Sequence, residues 1–368
     1  MSSAARKYPF LDWTVLVPVA AIIALAFSWG RELPGAVVVL VALCLAGAVL
    51  AAVHHAEVVA HRVGEPFGSL VLAVAVTVIE VALVVTLMAD GGEKSASLAR
   101  DTVFAAVMIT CNGIAGLSLL VGALRNRVAV FNAEGTGAAL ATVATLATLS
   151  LVLPTFTTSK PGPEFSAAQL TFAAVASLAL YGLFIAVQTV RHRDYFLPVT
   201  PGSDGSRGDE SHAAPPTTPA ALASLGLLVV ALVAVVGDAK AVSPAIEAGV
   251  AKAGMPQAVV GVVIALLVLL PETLAAVRAA RRDRVQTSLN LAYGSALASI
   301  GLTIPAIALA SLWLSGPLLL GLGAVHMVLL ALTVVVGALT IVPGRATLLQ
   351  GGVHLVLLAA YLFLAVSP

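Results

Sequence analysis

Charged residues are scarce in this sequence. Asp, Glu, Lys and Arg make up 10% of its 368 residues, whereas 60% are hydrophobic and the mean hydropathy is +1.05. Soluble globular domains carry about 25% charged residues, so this composition excludes that class and indicates a polytopic membrane protein. The ~10-residue polar and apolar alternation of a membrane barrel is absent as well. The expected fold class is therefore all-α, because helices satisfy their own backbone groups in lipid.

Cysteine and net charge are equally uninformative about chemistry. The two cysteines, Cys44 and Cys111, lie in different apolar runs, where a small core residue is more common than a disulfide. The formal net charge of +1 gives no indication of nucleic-acid binding.

The first apolar run extends past Phe27 without a small-residue cleavage site, so we interpret it as a first membrane helix and not a removed leader.

Long apolar runs, in contrast, are abundant. Eleven runs could each cross a bilayer, at about 13–29, 33–53, 66–89, 102–124, 135–154, 166–188, 220–237, 256–277, 288–310, 317–342 and 349–366. The longest polar stretch, residues 191–219, contains five prolines among Gly, Ser and Asp. We interpret it as a flexible linker on the cytoplasmic side.

The linker divides the chain into two halves. Residues 1–32 hold the first helix, residues 33–190 a first group of five helices, and residues 220–368 a second group of five. Because five is odd, equivalent helices of the two groups enter the membrane from opposite faces. Inverted repeats of this kind are typical of secondary transporters, whose sites lie at the repeat interface.

Arginine and lysine predict the orientation. With a cytoplasmic N-terminus, thirteen of these residues lie inside: Arg6, Lys7, Arg62, Arg125, Arg127, Arg191, Arg193, Arg207, Arg278, Arg281, Arg282, Arg284 and Arg345. Six lie outside: Arg31, Lys94, Arg100, Lys160, Lys240 and Lys252. This bias predicts a cytoplasmic N-terminus and an external C-terminus.

Two acidic residues interrupt the apolar runs. Glu80 lies in the second helix of the first five, and Glu272 lies in the second helix of the other five. We expect the other sixteen of the eighteen acidic residues to lie at the ends of runs or between them. A carboxylate in a bilayer costs ~2.5–3.5 kcal/mol on insertion scales and usually marks an ion or proton pathway. One such residue in each half predicts a site built by both halves.

The neighbours of the two glutamates supply further oxygen ligands. Thr77 precedes Glu80 by three residues and shares its helix face, although a hydroxyl bonded to its own helix backbone is an equal alternative. Pro271 directly precedes Glu272 and should bend or break the helix there. Carbonyl groups freed by the break are ligands for a hard cation. For Glu80 the alternative is a glutamate paired within the core, and for Pro271 alone it is a packing kink.

The helix after each glutamate also carries polar side chains among small residues. Asn112 lies in the first half and Ser295 at the matching place in the second. Each is typical of packing when taken alone, but the matching positions favour ligands. Straight helices would separate the two glutamates by about 12 Å along the membrane normal, so a shared site requires tilted or broken helices.

Histidines occur near or within several runs: His54, His55, His61, His326 and His354. The first three follow no specific zinc motif and lie at the predicted cytoplasmic edge, which favours an interfacial helix. A gating or pH-sensing role for His55, Glu57 and His61 is the alternative. We expect His326 and His354 to be hydrogen-bonded core histidines and not proton relays.

A set of motifs resembles a known family: Gly64-Glu65-Pro66-Phe67-Gly68, Thr77-Val78-Ile79-Glu80, Pro271-Glu272, Gln286, Asn290-Leu291 and Gly294-Ser295. The chain resembles the bacterial sodium/calcium:proton antiporter branch of the calcium/cation exchanger superfamily over essentially its whole length. The resemblance implies a plan of one plus five plus five helices in a bacterial inner membrane. It also implies that Glu80 and Glu272 match the paired acidic residues of the family, with the helices around Asn112 and Ser295 completing the cation site.

One departure from the family pattern concerns selectivity. In calcium-exchanging relatives each glutamate follows a Gly-Asn pair, whereas Val76-Thr77 and Leu269-Leu270 stand at or near those places here. The missing amide ligands disfavour selectivity for Ca²⁺.

These features predict exchange of Ca²⁺, Na⁺ or K⁺ for protons. Buried carboxylates hold protons when no cation is present and release them when a cation binds. Two carboxylates balance two protons or one Ca²⁺, whereas Na⁺ or K⁺ neutralises only one. The expected partners are inorganic cations, protons and the lipid bilayer, with no cofactor; the oligomeric state is left open.

Two other classes of function compete with exchange. In a cation channel, the glutamates would line the selectivity region. An intramembrane enzyme would need a nucleophile or metal motif, and no apolar run contains HExxH, GxSxG or paired aspartates.

Overall fold

The computed structural model describes residues 12–31, 33–64, 67–91, 96–198, 216–314 and 316–367, with side chains placed except at 67–73 and 90–91. Arg6 and Lys7, the Glu65-Pro66 pair of the sequence motif, and residues 199–215 of the predicted linker lie outside these ranges.

Almost all of the described chain is helical. Its α-helices are α1 (Trp13–Ser28), α2 (Gly35–Val63), α3 (Phe67–Gly91), α4 (Leu98–Met108), α5 (Ala115–Asn126), α6 (Ala133–Ala147), α7 (Ala167–Ala186), α8 (Thr218–Lys252), α9 (Ala258–Val268), α10 (Leu270–Ala280), α11 (Val285–Ala310), α12 (Ala324–Ile341) and α13 (Leu348–Val366). Three π-helical segments continue α4, α6 and α7: Ile109–Ile114, Thr148–Val152 and Val187–Arg191. Two short strands, β1 (Ala129–Val130) and β2 (Arg345–Ala346), pair antiparallel with Ala129 opposite Ala346.

The apolar helices confirm the all-α membrane class. Within the described residues, eight helices are long and apolar enough to cross a bilayer, and α9 with α10 forms a ninth, bent candidate. Two shorter apolar helices are Trp13–Ser28 and Val74–Ala89. The exact number of eleven crossings stays a prediction.

The chain packs into two compact units that each draw on both predicted halves. Unit 1 comprises residues 1–83 and 212–249, and unit 2 comprises residues 84–211 and 250–368. Unit 1 therefore contains α1, α2 and most of α8.

In unit 1, α2 is longer than its apolar run, and its polar end is held by α1. Residues 54–62 continue α2 to Val63, so the expected separate interfacial helix is wrong. The physical reason is that His55 is buried and its Nε2 lies 2.9 Å from the Thr14 carbonyl oxygen of α1. Arg62 then donates from Nη2 to Thr218 Oγ1 at 2.8 Å, which joins the end of α2 to the start of α8.

In unit 2, one long helix forms the centre. α4, the segment Ile109–Ile114 and α5 run continuously, and every residue from Asp101 to Gly116 is buried. α4 packs against α9, α5 packs against α13, and α11 packs against α6, α7 and α10. The backbones of α5 and α13 approach closely because glycines, Gly116 and Gly351, face each other there.

This close approach predicts unequal effects at two adjacent glycines. In Gly351→Ala the added carbon would lie 2.7 Å from Leu120 N and 3.0 Å from Gly116 O, and backbone atoms cannot turn aside. We expect a loss of about 1–3 kcal/mol in the free energy of unfolding, measured as a lower thermal midpoint in detergent. Gly352→Ala is the matched control, because nothing lies within 4 Å of its added carbon. Equal midpoints for the two variants would contradict the packing of α5 on α13.

Candidate functional site

One candidate membrane span of unit 2 is broken into two helices. α9 ends at Val268 and α10 begins at Leu270, with a bend of 51° between the two helices. Leu269 lies between them with φ −85° and ψ 0°, and Pro271 occupies the first turn of α10. A proline without an N–H group fits this first turn, because the first N–H groups of a helix have no intrahelical partner.

The break places Glu272 at the start of a half-helix. The glutamate lies in the first turn of α10 and is half-buried. The N-terminus of a helix carries partial positive charge, which stabilises a carboxylate there. α10 contacts the π-helical segment Ile109–Ile114 and α11, so the helix of Glu272 meets the segments that carry Asn112 and Ser295.

Asn112 is fully buried in that π-helical segment and belongs to a polar network. Its Nδ2 donates to Thr333 Oγ1 of α12 at 2.9 Å. Its Oδ1 lies 3.1 Å from His354 Nδ1 of α13, and His354 Nε2 lies 3.3 Å from Thr340 Oγ1. π-Helical turns within α-helices frequently occur at functional sites. The network therefore anchors a predicted cation ligand from two other helices.

The hydrogen bonds define the orientation of the Asn112 amide. Because Nδ2 of Asn112 donates to Thr333, its Oδ1 faces the imidazole and accepts from the Nδ1–H group of His354. The other ring nitrogen, Nε2, is within hydrogen-bond distance of the hydroxyl of Thr340. His354 is thus a hydrogen-bonded core histidine, as expected from the sequence. An amide oxygen has two lone pairs, so Oδ1 of Asn112 retains one acceptor position.

Ser295 lies on α11 and is half-buried. Its helix contacts α10 and the Ile109–Ile114 segment. About two turns earlier on α11, Ser288 Oγ lies 2.5 Å from Ser118 Oγ of α5 and donates to the Ala276 carbonyl oxygen of α10 at 2.6 Å. These bonds tie the two helices that follow the glutamates to α10.

Thr77 and Glu80 lie on α3, in unit 1. Both side chains are buried, with exposed fractions of 6% and 3%, and their spacing of three residues places them on one helix face. Asn112, Glu272 and Ser295 all belong to unit 2. The structure thus assigns each predicted site residue to one unit, and the joint site stays a prediction.

The predicted gating residues differ in environment. His55 is buried against the Thr14 carbonyl oxygen, whereas Glu57 and His61 are exposed on the last turns of α2. Within the described residues, no group of three or more His, Cys, Asp or Glu side chains is close enough to hold a metal ion.

The burial of Asp238 was not predicted from the sequence. The seventh apolar run ends at 237, which places Asp238 at its edge, but α8 continues to Lys252 and Asp238 is fully buried within it. The expectation that only Glu80 and Glu272 are acids inside apolar helices is therefore wrong. The missed signal is that residues 239–251 contain only two charged side chains, Lys240 and Glu247, and many alanines and valines, so the helix continues through Pro244.

Comparison with known proteins places this architecture in a family. The model of the family described as sodium/calcium exchanger protein matches residues 33–190 and 223–367. The chain belongs to the sodium/calcium exchanger family. This exchanger is a membrane antiporter of the calcium/cation exchanger superfamily, as the sequence motifs indicate.

Two relatives and one solved structure illustrate the similarity. The exchanger is 47% identical over 359 residues to a Sinorhizobium fredii protein named as an ionic transporter, y4hA, covering 97% of this chain and 96% of that protein. It is 35% identical over 362 residues to the sodium-potassium/proton antiporter ChaA of Escherichia coli K12, covering 97% of each chain. The chain is also similar to a crystal structure of the H⁺/Ca²⁺ exchanger CAX, with a TM-score of 0.68 and 15% sequence identity. The match covers 95% of this chain and 86% of that one. This last likeness shows a shared fold.

The Asn112 network predicts an effect of His354 on the exchanger. In His354→Phe, the buried Oδ1 of Asn112 loses its donor, which costs about 1–3 kcal/mol and frees the amide to turn. We expect a weaker rise of the thermal midpoint when Na⁺, K⁺ or Ca²⁺ is added. His326→Phe is the control, because His326 contacts the rings of Phe104 and Tyr361 and not Asn112. The same cation response in both variants would contradict a role of His354 in holding Asn112.

Proposed function

We propose that this protein is a secondary active antiporter that exports Na⁺, K⁺ or Ca²⁺ in exchange for protons, with Glu80 and Glu272 as the shared cation and proton ligands. The observation that carries this proposal is the broken span α9–α10, which places Glu272 at the start of a half-helix. Transporters commonly bind their substrates at such discontinuous helices.

Competition for the carboxylate oxygens accounts for the coupling. Burial disfavours the charged form of a carboxyl group, so each glutamate holds a proton in the absence of a cation. A bound cation restores the charged form and displaces the proton. Because one set of oxygens serves both, a cation and a proton cannot occupy it together, and transport becomes exchange.

The ligand set favours Na⁺ or K⁺ over Ca²⁺. Calcium prefers six to eight oxygen ligands, and the amides that precede the glutamates in calcium-exchanging relatives are replaced here by Thr77 and Leu269. The Escherichia coli relative, at 35% identity, is named a sodium-potassium/proton antiporter. We therefore propose monovalent cations as the main substrates, with Ca²⁺ as the tested alternative.

Alternating access follows from the inverted repeats predicted from the sequence. The two groups of five helices would expose the glutamates to one side of the membrane at a time. With the N-terminus in the cytoplasm of a bacterial cell, the inward proton gradient drives cation export. The protein acts as a transporter and not as an enzyme, in keeping with its relatives.

A cation channel remains the competing function, with the glutamates as selectivity groups. Flux through a channel follows the gradient of the cation alone. Saturable cation flux that collapses an imposed proton gradient distinguishes the antiporter.

We predict that Glu80 and Glu272 are both required for exchange. Glu80→Gln and Glu272→Gln keep the side-chain shape but cannot release a proton, so exchange should fall to background while the protein stays folded in the membrane. A pH-sensitive dye in vesicles reports proton movement after separate additions of Na⁺, K⁺ and Ca²⁺. Glu134→Gln is the matched control, since Glu134 is exposed in the first turn of α6. Retained proton-coupled flux in Glu272→Gln would contradict the shared-site mechanism.

We also predict that Thr77 influences selectivity. Thr77→Asn restores an amide oxygen one turn before Glu80, which should raise the Ca²⁺ response relative to Na⁺ and K⁺ by roughly tenfold, as expected for one added ligand to a charged group. Thr77→Val removes the hydroxyl without adding an amide and serves as the control. If the ratio of responses is the same in both variants, Thr77 does not contact the cation.

A further inference from the structure

Asp238 stands on the buried face of α8, among apolar residues. Leu228, Ala231, Val235, Asp238 and Val242 are all buried and follow one another at helical spacing. Asp238 has an exposed fraction of 0%, whereas Lys240, two residues later, is exposed. The carboxyl group therefore points into a helix interface and not toward lipid headgroups.

The carboxyl group of Asp238 makes no hydrogen bond in unit 1, because neither of its oxygens has a partner among the described residues. On the α1 side, Gly237 packs so closely against Leu25 that a side chain at this position would overlap it. On the α2 side, the Cys44 thiol lies within electrostatic range of the carboxyl group.

The charges near Asp238 do not neutralise it. α1 has no ionisable residue from Trp13 to Ser28, and on α2 the ionisable group facing Asp238 is Cys44. On α8 itself, Lys240 Nζ lies 6.0 Å from the centre of the Trp29 ring, and Glu247 accepts from Ser243 Oγ at 3.0 Å. An ionised carboxylate in such a place is strongly disfavoured, because an unpaired charge loses its hydration without compensation.

No bond compensates the burial of Asp238. A buried acid inside a membrane helix costs free energy, and neither oxygen of this one gains a hydrogen bond among the described residues, so packing stability does not explain its presence.

We propose that Asp238 is a third proton-binding carboxyl group of the antiporter, separate from Glu80 and Glu272. A proton fits this place better than a metal cation. A proton needs a single oxygen, whereas Na⁺, K⁺ and Ca²⁺ need several, and neither carboxyl oxygen of Asp238 has a hydrogen-bond partner among the described residues. Asp238 holds its proton while the helix face is buried and releases it when a step of the transport cycle exposes α8 to water.

This inference rests on the proposed proton exchange but concerns a different residue. If Asp238 takes part, each transport cycle carries one more proton than the two glutamates account for. In this proton transfer the Asp238 O–H bond breaks and the proton passes to water on one side of the membrane. The carboxylate is then protonated again from the other side.

Two measurements on the full-length protein test the role of Asp238. In weakly buffered detergent solution, a pH dye counts the protons released per protein when Na⁺, K⁺ or Ca²⁺ is added. Infrared difference spectra between acidic and alkaline samples report protonated carboxyl groups through their C=O band. We expect Asp238→Asn to release one proton fewer than the natural protein and to lose one component of the carboxyl band. Its thermal midpoint should stay equal or rise, because an amide has no charge to bury.

Several outcomes are decisive. Equal proton counts and unchanged carboxyl bands in Asp238→Asn and the natural protein overturn the inference. If Asp238→Asn does not fold, Asp238→Glu decides, because its carboxyl band must shift from the natural position; an unshifted band overturns the proposal. Exchange retained in both Glu80→Gln and Glu272→Gln would refute the proposed glutamate site whatever Asp238 does, so the two failures are distinguishable.

Discussion

The free energy needed to move a carboxylate out of water constrains the rest of this exchanger. In an apolar helix an ionised acid is disfavoured unless a proton, a cation or a helix terminus compensates its charge. Glu272, Glu80 and Asp238 meet this constraint in different ways. Glu272 lies in the first turn of α10, where the helix terminus favours negative charge. Glu80 is buried one turn from the Thr77 hydroxyl, and Asp238 is buried among apolar side chains.

A second constraint comes from the backbone, which must satisfy its own polar groups within a bilayer. The chain departs from regular α-helix at defined places. The span α9–α10 is broken at Leu269 in front of Pro271, and the central helix of unit 2 becomes π-helical at Ile109–Ile114. Both departures lie at positions with predicted ligands. Side chains then hold these irregular segments, as His354 and Thr333 do for Asn112.

Much of the fold could be predicted from the sequence because apolar length is a strong signal in membrane proteins. Each predicted run contains a helix, and the family comparison supports the predicted relationship to exchangers. The break near Glu272 follows from a local property, since proline has no N–H group and excludes the preceding helical turn. The ends of helices were harder to predict. α2 continues through its histidines because α1 offers a carbonyl group to His55, which is a contact between distant residues.

The candidate ligands differ in the same way, because some of their features depend on neighbours in the sequence and others on contacts between distant residues. Composition and helix spacing by themselves determine an all-α membrane protein with Glu80 beside Thr77 and Glu272 behind Pro271, because these features depend on neighbours within a few residues. Tertiary structure alone decides that Asn112 is oriented by His354 and Thr333, residues more than 200 positions away in the chain. It also decides that Asp238 is buried, because burial depends on which face of α8 other helices cover. Hydropathy along the chain records how apolar a segment is, whereas the energy of an acid within it depends on what surrounds the carboxyl group in space.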